Sequence, residues 1–399
     1  MSKSFQTRLK DAFNWNIIES NRNIWVDYLR GVAIILVVYH HAFLGMEKNS
    51  IEVPELVVDA NMAAYSFRMP LFFIFSGIFT ALSLRTKTVK NIIWNKYNLI
   101  LYPYLIWSFL QITLQFIFSR YTNTESDLLN YLYILYQPKQ IAHFWYLPAL
   151  FNATLVFVLI KSKFKVKAGH HLILGLVLFM AAPFVNSISM MSNWMRFYIF
   201  LVVGDMLCNV ILQKEVQDRL KKLVYFLSII PLFLAAQYYY FYVLGASSIE
   251  NVSAKVSEVE FVPYIIKQSL FLTVSLVGCA TLILFSFLLE KWNLAKWLRV
   301  IGYHSLYIYI MHVIVVAFNR IVLTKAFGID NYAVILVTGI LVGVTVPIVF
   351  YNVLGKKQLW FLFSSKKRKK PEEISSIQAP VIRVNPEVRL SPLKSVNNI

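Results

Sequence analysis

Residues 25–45 read WVDYLRGVAIILVVYHHAFLG, an apolar run that carries four ionisable side chains. A membrane-spanning helix needs about 20 mostly apolar residues, which this stretch supplies. A charged group at the centre of such a helix costs about 2.5–3.5 kcal/mol on insertion scales. Asp27, Arg30, His40 and His41 therefore mark this helix as the first place to look for function.

The composition of the whole chain is that of a polytopic membrane protein. Of its 399 residues, 58% are hydrophobic and only 15% are charged, whereas soluble domains average about 45–50% and about 25%. We predict an all-α integral membrane protein with about ten transmembrane helices, and its two cysteines form no pattern typical of a disulfide framework or a metal site. The helices are predicted near 24–45, 66–84, 92–119, 143–160, 171–189, 194–212, 223–244, 264–289, 299–324 and 332–354.

Most of the positively charged residues lie on one side of the predicted membrane topology. The formal net charge is +19, and 29 of the 39 Lys and Arg residues fall on one side if the predicted helices alternate in direction. Short cytoplasmic loops collect Lys and Arg, so both termini are predicted to be cytoplasmic. This distribution accounts for the basic composition and excludes a nucleic-acid partner.

The chain divides into three predicted parts. Residues 1–22 form a polar cytoplasmic segment, 23–355 form the ten-helix membrane domain, and 356–399 form a basic, disordered cytoplasmic tail. The cluster KKRKK at 366–370 lies next to the last helix. Such juxtamembrane clusters contact anionic lipid, which is the partner predicted for it.

Helix geometry separates the four ionisable groups of the first helix. Arg30 and His41 are eleven positions apart, so they share a face with an offset of about 20° and a rise of about 16 Å. Asp27 lies one turn before Arg30 on the same face and can pair with its guanidinium group. His40 points about 80° away from Arg30 and is interpreted as a neighbour of the site rather than as its base.

We call the helix face shared by Asp27, Arg30 and His41 the stripe. The stripe fits a long anionic acyl donor. The phosphates of coenzyme A could meet Arg30 while its pantetheine arm carries a thioester towards His41. The ordinary pKa of an imidazole, about 6.5, suits removal of a proton from an attacking hydroxyl. A proton relay would use the same three residue types, so the helix alone does not decide between the two.

The first helix also resembles a known family. DYLRGVAIILVVYHHAF is similar to the opening helix of the acyltransferase-3 family of integral-membrane O-acyltransferases, whose hallmark is an Arg (or Lys) followed after ten residues by His. Four later segments resemble the family in the same order, so the resemblance covers roughly 22–355, and FRMPLFF is nearest to the sugar or exopolysaccharide O-acetylase-like branch. These segments are FRMPLFFIFSGIF (67–79), LYPYLIWS (101–108), HFWYLPALF (143–151) and IGYHSLYIYIMH (301–312).

The resemblance implies an activity and a location. It implies a multi-pass enzyme of the inner (plasma) membrane that moves an acyl group, usually acetyl, from cytoplasmic acetyl-CoA to a hydroxyl of a cell-surface glycan or lipid-linked sugar. Acyl-CoA is then a substrate, and no tightly bound cofactor is expected. Glycan-synthesis machinery is an expected partner.

The resemblance and the stripe together assign roles on the donor side. His41 is the expected catalytic base, with Asp27 assigned to the same catalytic stripe, and Arg30 is the expected donor contact. Many family members carry an Arg-rich stretch before the third helix, where this chain has only Lys96. Lys96 is therefore the remaining candidate for a second donor-phosphate contact.

Five further residues are predicted to contact the acceptor. His143 and Trp145 begin the fourth helix on the outer side, although Trp is also common in the interfacial belt. Arg68 lies near the outer start of the second helix, where snorkelling to the interface is the alternative. Tyr309 and His312 share one face of the ninth helix with Ser305, and this face is expected to line the same cavity.

Two other functions remain open from the sequence. A polysaccharide or precursor exporter is the first, but matched helices broken by Gly or Pro, which that function favours, are not evident. A non-catalytic component of a glycan-synthesis complex is the second.

Overall fold

The computed structural model describes residues 10–19, 23–117, 128–164, 166–242 and 261–366. Within these residues the regular secondary structure consists of helices, without a strand, and includes ten helices long and apolar enough to span a membrane. The prediction of an all-α, ten-span chain is thus confirmed. The helices, numbered here in chain order, are α1 (Ile24–Glu47), α2 (Glu55–Thr86), α3 (Val89–Ile117), α4 (His143–Phe164), α5 (Ala168–Val185), α6 (Ser189–Ile211), α7 (Leu223–Tyr242), α8 (Pro263–Trp292), α9 (Ser305–Ala326) and α10 (Tyr332–Gly355).

Two helices, α2 and α9, begin at residues other than the predicted ones. Helix α2 starts at Glu55, eleven residues before the predicted start, because the polar residues of its first turns hide the helix from a hydropathy criterion. Helix α9 starts at Ser305 rather than near 299, because the helical conformation is interrupted at His304 after a short helix, Trp297–Tyr303. Apolar residues continue across this interruption, so hydropathy does not reveal it.

Helix α1 lies at the centre of the bundle. It packs against α2, α8, α9, α10 and the short helix Trp297–Tyr303. Arg30 lies beside Phe75, and His40 lies beside Asn61, so α1 and α2 run antiparallel. We call the end of the bundle where α1 begins the basic end, because Lys87 of the α2–α3 connection lies there, and the end near Glu47 the far end.

Helices α2 and α6 cross closely through two glycines. A Cβ atom placed on Gly77 would lie 2.0 Å from the carbonyl oxygen of Leu201, and one placed on Gly204 would lie 2.0 Å from that of Ile74. Small residues at such positions let two helix backbones approach within a membrane. This crossing fixes α2, whose side chains line both cavities described below.

Some polar groups outside these cavities pair with groups on neighbouring helices. Asp205, an acidic residue within α6, forms a salt bridge with Lys161 of α4. After α10, the chain packs against α3, where the indole nitrogen of Trp107 donates to the carbonyl of Leu362 at 2.9 Å. The predicted disordered tail beyond residue 366, most of the basic cluster and residues 1–9 lie outside the described residues.

Candidate functional site

A cavity of about 250 Å³ opens towards the basic end of the bundle. Its walls are mostly aliphatic and aromatic, and include Phe72, Phe75 and Phe79 of α2. The cationic side chains at its wall are Arg30, Lys87 and Lys96. We call this space the basic-end cavity; it combines an apolar interior with positive charge.

Arg30 is held in the basic-end cavity by the start of α9. Its Nε and Nη2 atoms donate to the Oγ of Ser305 at 3.1 and 2.8 Å, and its guanidinium lies over the Phe75 ring, 5.5 Å from the centroid. The interruption of the helix at His304 places Ser305 in the first turn of α9, facing Arg30. The stripe inferred from the sequence therefore continues onto a second helix.

Lys96 reaches the same cavity from α3. Its Nζ donates to the Oγ of Ser76 in α2 at 3.1 Å. It directly precedes a π-helical turn, Tyr97–Leu101, a local irregularity that is frequent at functional sites. The structure thus brings both predicted donor contacts, Arg30 and Lys96, to one space.

A second cavity, of about 360 Å³, opens towards the far end. Its walls include His41 and His143, together with Trp145, Arg68 and Tyr309. We call it the far-end cavity. All predicted acceptor contacts except His312 line it directly.

Three imidazole rings from three helices meet at the wall of the far-end cavity. The ring of His41 lies 5.0 Å from that of His312 and 5.7 Å from that of His143, and the last two are 4.8 Å apart, measured between centroids. His143, predicted near the outer surface, is buried at the start of α4, in a 3₁₀ turn. Among the described residues no group of three or more His, Cys, Asp or Glu side chains is placed to hold a metal ion.

His312 lies next to His41, and its main-chain hydrogen bonds define its tautomer. Its Nδ1 lies 3.0 and 2.8 Å from the carbonyl oxygens of Ile308 and Tyr309, so Nδ1 carries the proton and Nε2 keeps its lone pair. The ring is fully buried, and Nε2 has no hydrogen-bond partner in the described structure. His312 can therefore accept a hydrogen bond within the cluster.

His40 and Arg68 share one amide on the other side of the far-end cavity. The Oδ1 of Asn61 lies 3.0 Å from the Nδ1 of His40 and accepts from the Nη1 of Arg68 at 3.3 Å. The Arg68 guanidinium also lies over the Tyr65 ring, 4.7 Å from its centroid. Arg68 is only 2% exposed, so it points into the bundle rather than snorkelling to the interface.

Tyr309 lies between the two cavities and lines both of them. Its hydroxyl donates a short hydrogen bond to the main-chain carbonyl of His143, and its ring is 5.2 Å from the rings of His143 and Tyr146. The phenol ring forms part of the partition between Arg30 on one side and His41 on the other.

Asp27 is the one predicted site residue that the structure does not bring to either cavity. It is 1% exposed and lies where α1 crosses the short helix Trp297–Tyr303: a Cβ placed on Gly302 would lie 1.9 Å from the Asp27 carbonyl oxygen. Fourteen residues of straight helix put it about 21 Å from His41 along α1.

Several residues in or beside the far-end cavity escaped the sequence reasoning. Tyr65, which lines it, and Asn61, which contacts His40 and Arg68, precede the helix predicted at 66–84, because the start of α2 is polar. Arg320 and Lys139 lie far from the stripe in sequence and reach the far-end cavity only through packing. Helix periodicity does not single out Arg320, since it lies eight residues beyond His312 and so faces about 80° away from it.

Comparison with known proteins gives one match. The model of the acyltransferase-3 family, described as an acyltransferase domain, matches residues 23–352. No curated protein and no solved structure shows significant similarity to the chain. The match covers both cavities and every predicted site residue.

Proposed function

Because the chain belongs to the acyltransferase-3 family of membrane acyltransferases, we propose that it transfers an acetyl group from acetyl-CoA to a hydroxyl of a cell-surface glycan or lipid-linked sugar. The observation that carries the proposal is the pair of cavities that open towards opposite ends and share Tyr309. Arg30 and Lys96 line one cavity, and His41 lines the other. This arrangement suits a donor and an acceptor that reach the reaction from opposite sides.

The basic-end cavity receives the donor in this proposal. Arg30 and Lys96, together with Lys87 near the opening, contact the phosphates of coenzyme A, since guanidinium and ammonium groups both bind phosphate oxygens. The apolar walls accommodate the pantetheine arm and the acyl group. By the positive-inside rule the basic end faces the cytoplasm, which holds both termini and the acetyl-CoA pool, and the membrane is the inner (plasma) membrane.

The far-end cavity receives the acceptor. His143, Trp145 and Arg68 contact the sugar, with the indole ring of Trp145 offering an apolar face and the other two offering hydrogen bonds. Tyr309 separates the donor from the acceptor until the thioester of the donor moves past its ring towards the far-end cavity. Exclusion of water at this partition protects the thioester from hydrolysis.

His41 acts as the general base. It removes the proton from the acceptor hydroxyl as the oxygen attacks the thioester carbonyl, and the C–O bond forms. The C–S bond then breaks, and the proton held by His41 neutralises the departing CoA thiolate. His312 orients His41 by accepting a hydrogen bond at Nε2, while Asp27 is too distant to act on this proton and supports the start of α1.

The experiment compares two adjacent histidines. Full-length protein is reconstituted in vesicles with radiolabelled acetyl-CoA and the native glycan, and label in the glycan is measured. His41→Ala is expected to reduce transfer by at least about 100-fold, the usual contribution of a general base. His40→Ala, which removes the hydrogen bond with Asn61 and ring contacts with His41 and Tyr65 but leaves the imidazole of His41 in place, is expected to retain most of the activity.

Two results would count against this proposal. Wild-type transfer by correctly folded His41→Ala would exclude the mechanism. Glycan movement across the vesicle membrane without any need for acetyl-CoA would instead favour an exporter. Thermal unfolding of both variants checks that neither result comes from a folding defect.

A further inference from the structure

The beginning of α4 contributes side chains to both cavities. His143 and Trp145 line the far-end cavity, whereas Tyr146 lines the basic-end cavity. The backbone changes here from the 3₁₀ turn Ala142–Trp145 to the α-helix that begins at Tyr146. Tyr146 therefore lies where the partition formed by Tyr309 meets the basic-end cavity.

Three aromatic neighbours hold the ring of Tyr146. Its centroid lies 5.2 Å from that of Tyr309, and the residue is only 7% exposed. The rings of Phe72 and Phe73 lie 5.7 and 5.5 Å from it. Tilted and edge-to-face contacts between aromatic rings are favourable, so they fix the phenol, and with it the hydroxyl group, relative to the partition.

The hydroxyl group of Tyr146 is an unused hydrogen-bond donor. It has no hydrogen-bond partner among the described residues, yet its oxygen is not enclosed by protein atoms. The hydroxyl of Tyr309, in contrast, donates to the main-chain carbonyl of His143. Arg30 lines the same cavity as Tyr146 and is near enough to interact with it electrostatically. A free donor beside a positive charge suits an oxygen atom that becomes negative.

Acyl transfer generates such an oxygen. When a hydroxyl oxygen attacks a thioester, the π electrons of the C=O bond move to the carbonyl oxygen, which stays negative until the C–S bond breaks. In the proposed function His41 acts on the acceptor proton and Arg30 contacts the donor phosphates, so neither serves the carbonyl oxygen. A thioester that reaches the partition passes beside Tyr146, because the rings of Tyr146 and Tyr309 are in contact.

Resting on the proposed acyl transfer, we propose that Tyr146 is a further catalytic residue whose hydroxyl donates a hydrogen bond to the carbonyl oxygen of the thioester. The bond strengthens as the oxygen becomes negative and weakens when the C=O bond re-forms and the C–S bond breaks. Tyr146 keeps its own proton throughout, while the proton of the acceptor hydroxyl passes by way of His41 to the CoA thiolate. The contact recognises the carbonyl group rather than a particular acyl chain.

Infrared spectroscopy tests this contact without turnover. Full-length His41→Ala protein in lipid nanodiscs is saturated with acetyl-CoA isotope-labelled at the carbonyl carbon, and the C=O stretching band is compared with that of free acetyl-CoA. We expect a shift to lower frequency, because a hydrogen bond weakens the C=O bond, and we expect the double variant His41→Ala/Tyr146→Phe to lose it. An unshifted band in the first protein, the same shift in both, or no bound band would overturn the proposal.

Steady-state kinetics with a matched control measures the contribution to catalysis. Tyr146→Phe removes one oxygen and keeps the ring contacts, so we expect kcat to fall about 100-fold, the usual effect of losing one oxyanion donor, with little change in the KM for acetyl-CoA. Tyr264→Phe deletes a hydroxyl that donates to the carbonyl of Met180 at 2.6 Å and lines neither cavity, so it should keep the wild-type kcat. An unchanged kcat in Tyr146→Phe, or an equal fall in both variants, would overturn the proposal.

The two experiments separate this inference from the proposed function. A carbonyl shift that depends on Tyr146, without any acetyl transfer by the wild-type protein, would contradict the proposed function alone. Acetyl transfer that requires His41 but not Tyr146 would contradict only this inference. Thermal unfolding of Tyr146→Phe checks that a fall in kcat does not come from a folding defect.

Discussion

The basic-end and far-end cavities differ in chemistry although they share Tyr309 and many of the same helices. The first is mostly apolar with cations at its wall, whereas the second carries histidines as well as cations. Both draw residues from α1: Arg30 faces one and His41 faces the other. One continuous helix can thus serve two different sites because its rise separates the two side chains.

This difference shows how a bundle of apolar helices accommodates costly polar groups. Arg30 and Lys96 each meet a serine hydroxyl on a neighbouring helix, and Arg68 meets Asn61. Such contacts lower the cost of burying the cations and fix their positions. The predictions below test whether the two cavities are separable in practice.

Loss of the helix crossing between α2 and α6 should eliminate both cavities together. In Gly77→Val the new side chain meets the Leu201 carbonyl, with even a Cβ only 2.0 Å from its oxygen. We expect destabilisation of at least about 3 kcal/mol, the upper range for overpacking, measured by thermal unfolding in detergent. Gly169→Val is the control, since a Cβ there meets nothing within 4 Å; a normally stable Gly77→Val would contradict the tight crossing.

Removal of Arg30 should impair only the donor side. We expect Arg30→Met to raise the KM for acetyl-CoA about 30-fold, equivalent to about 2 kcal/mol, while the KM for the acceptor stays unchanged. Steady-state kinetics with each substrate varied in turn measures both. Lys163→Met removes an exposed charge from α4 and serves as the control; an equal rise in both KM values would mean that the cavities do not act separately.

Truncation of Tyr309 should join the two cavities. In Tyr309→Ala the shared wall is lost, and we expect release of CoA without acceptor to rise about tenfold as water reaches the thioester. Free CoA is measured with a thiol reagent in the absence of glycan. Tyr309→Phe keeps the ring and should release little more CoA than the wild type; no change in Tyr309→Ala would show that Tyr309 does not separate the substrates.

The smallest effect is expected at Lys96. Lys96→Met keeps the length of the side chain but removes the ammonium group that donates to Ser76. A single point charge contributes less to phosphate binding than the fork of Arg30, so we expect a rise of about threefold to fivefold in the KM for acetyl-CoA. The same kinetic assay checks this, and a loss as large as that of Arg30→Met would reverse the ranking of the two contacts.

The sequence was sufficient for the architecture. Long apolar segments span a membrane whatever their neighbours are, so ten helices follow from hydropathy, and the family follows from Arg30, His41 and four ordered segments. The relation between Arg30 and His41 was also accessible, because both lie on one helix of known rise. The start of α2 and the interruption at His304 were not, since hydropathy detects apolar length rather than helical conformation.

The tertiary structure alone decided which residues share a site. His41, His143 and His312 come from three helices, and their rings meet because of how α1, α4 and α9 pack. Asp27 illustrates the opposite case: it shares a face with Arg30 in sequence, yet crossing of the short helix Trp297–Tyr303 over α1 removes it from both cavities. Local periodicity fixes the face on which a side chain lies, but contacts between helices fix what that face meets.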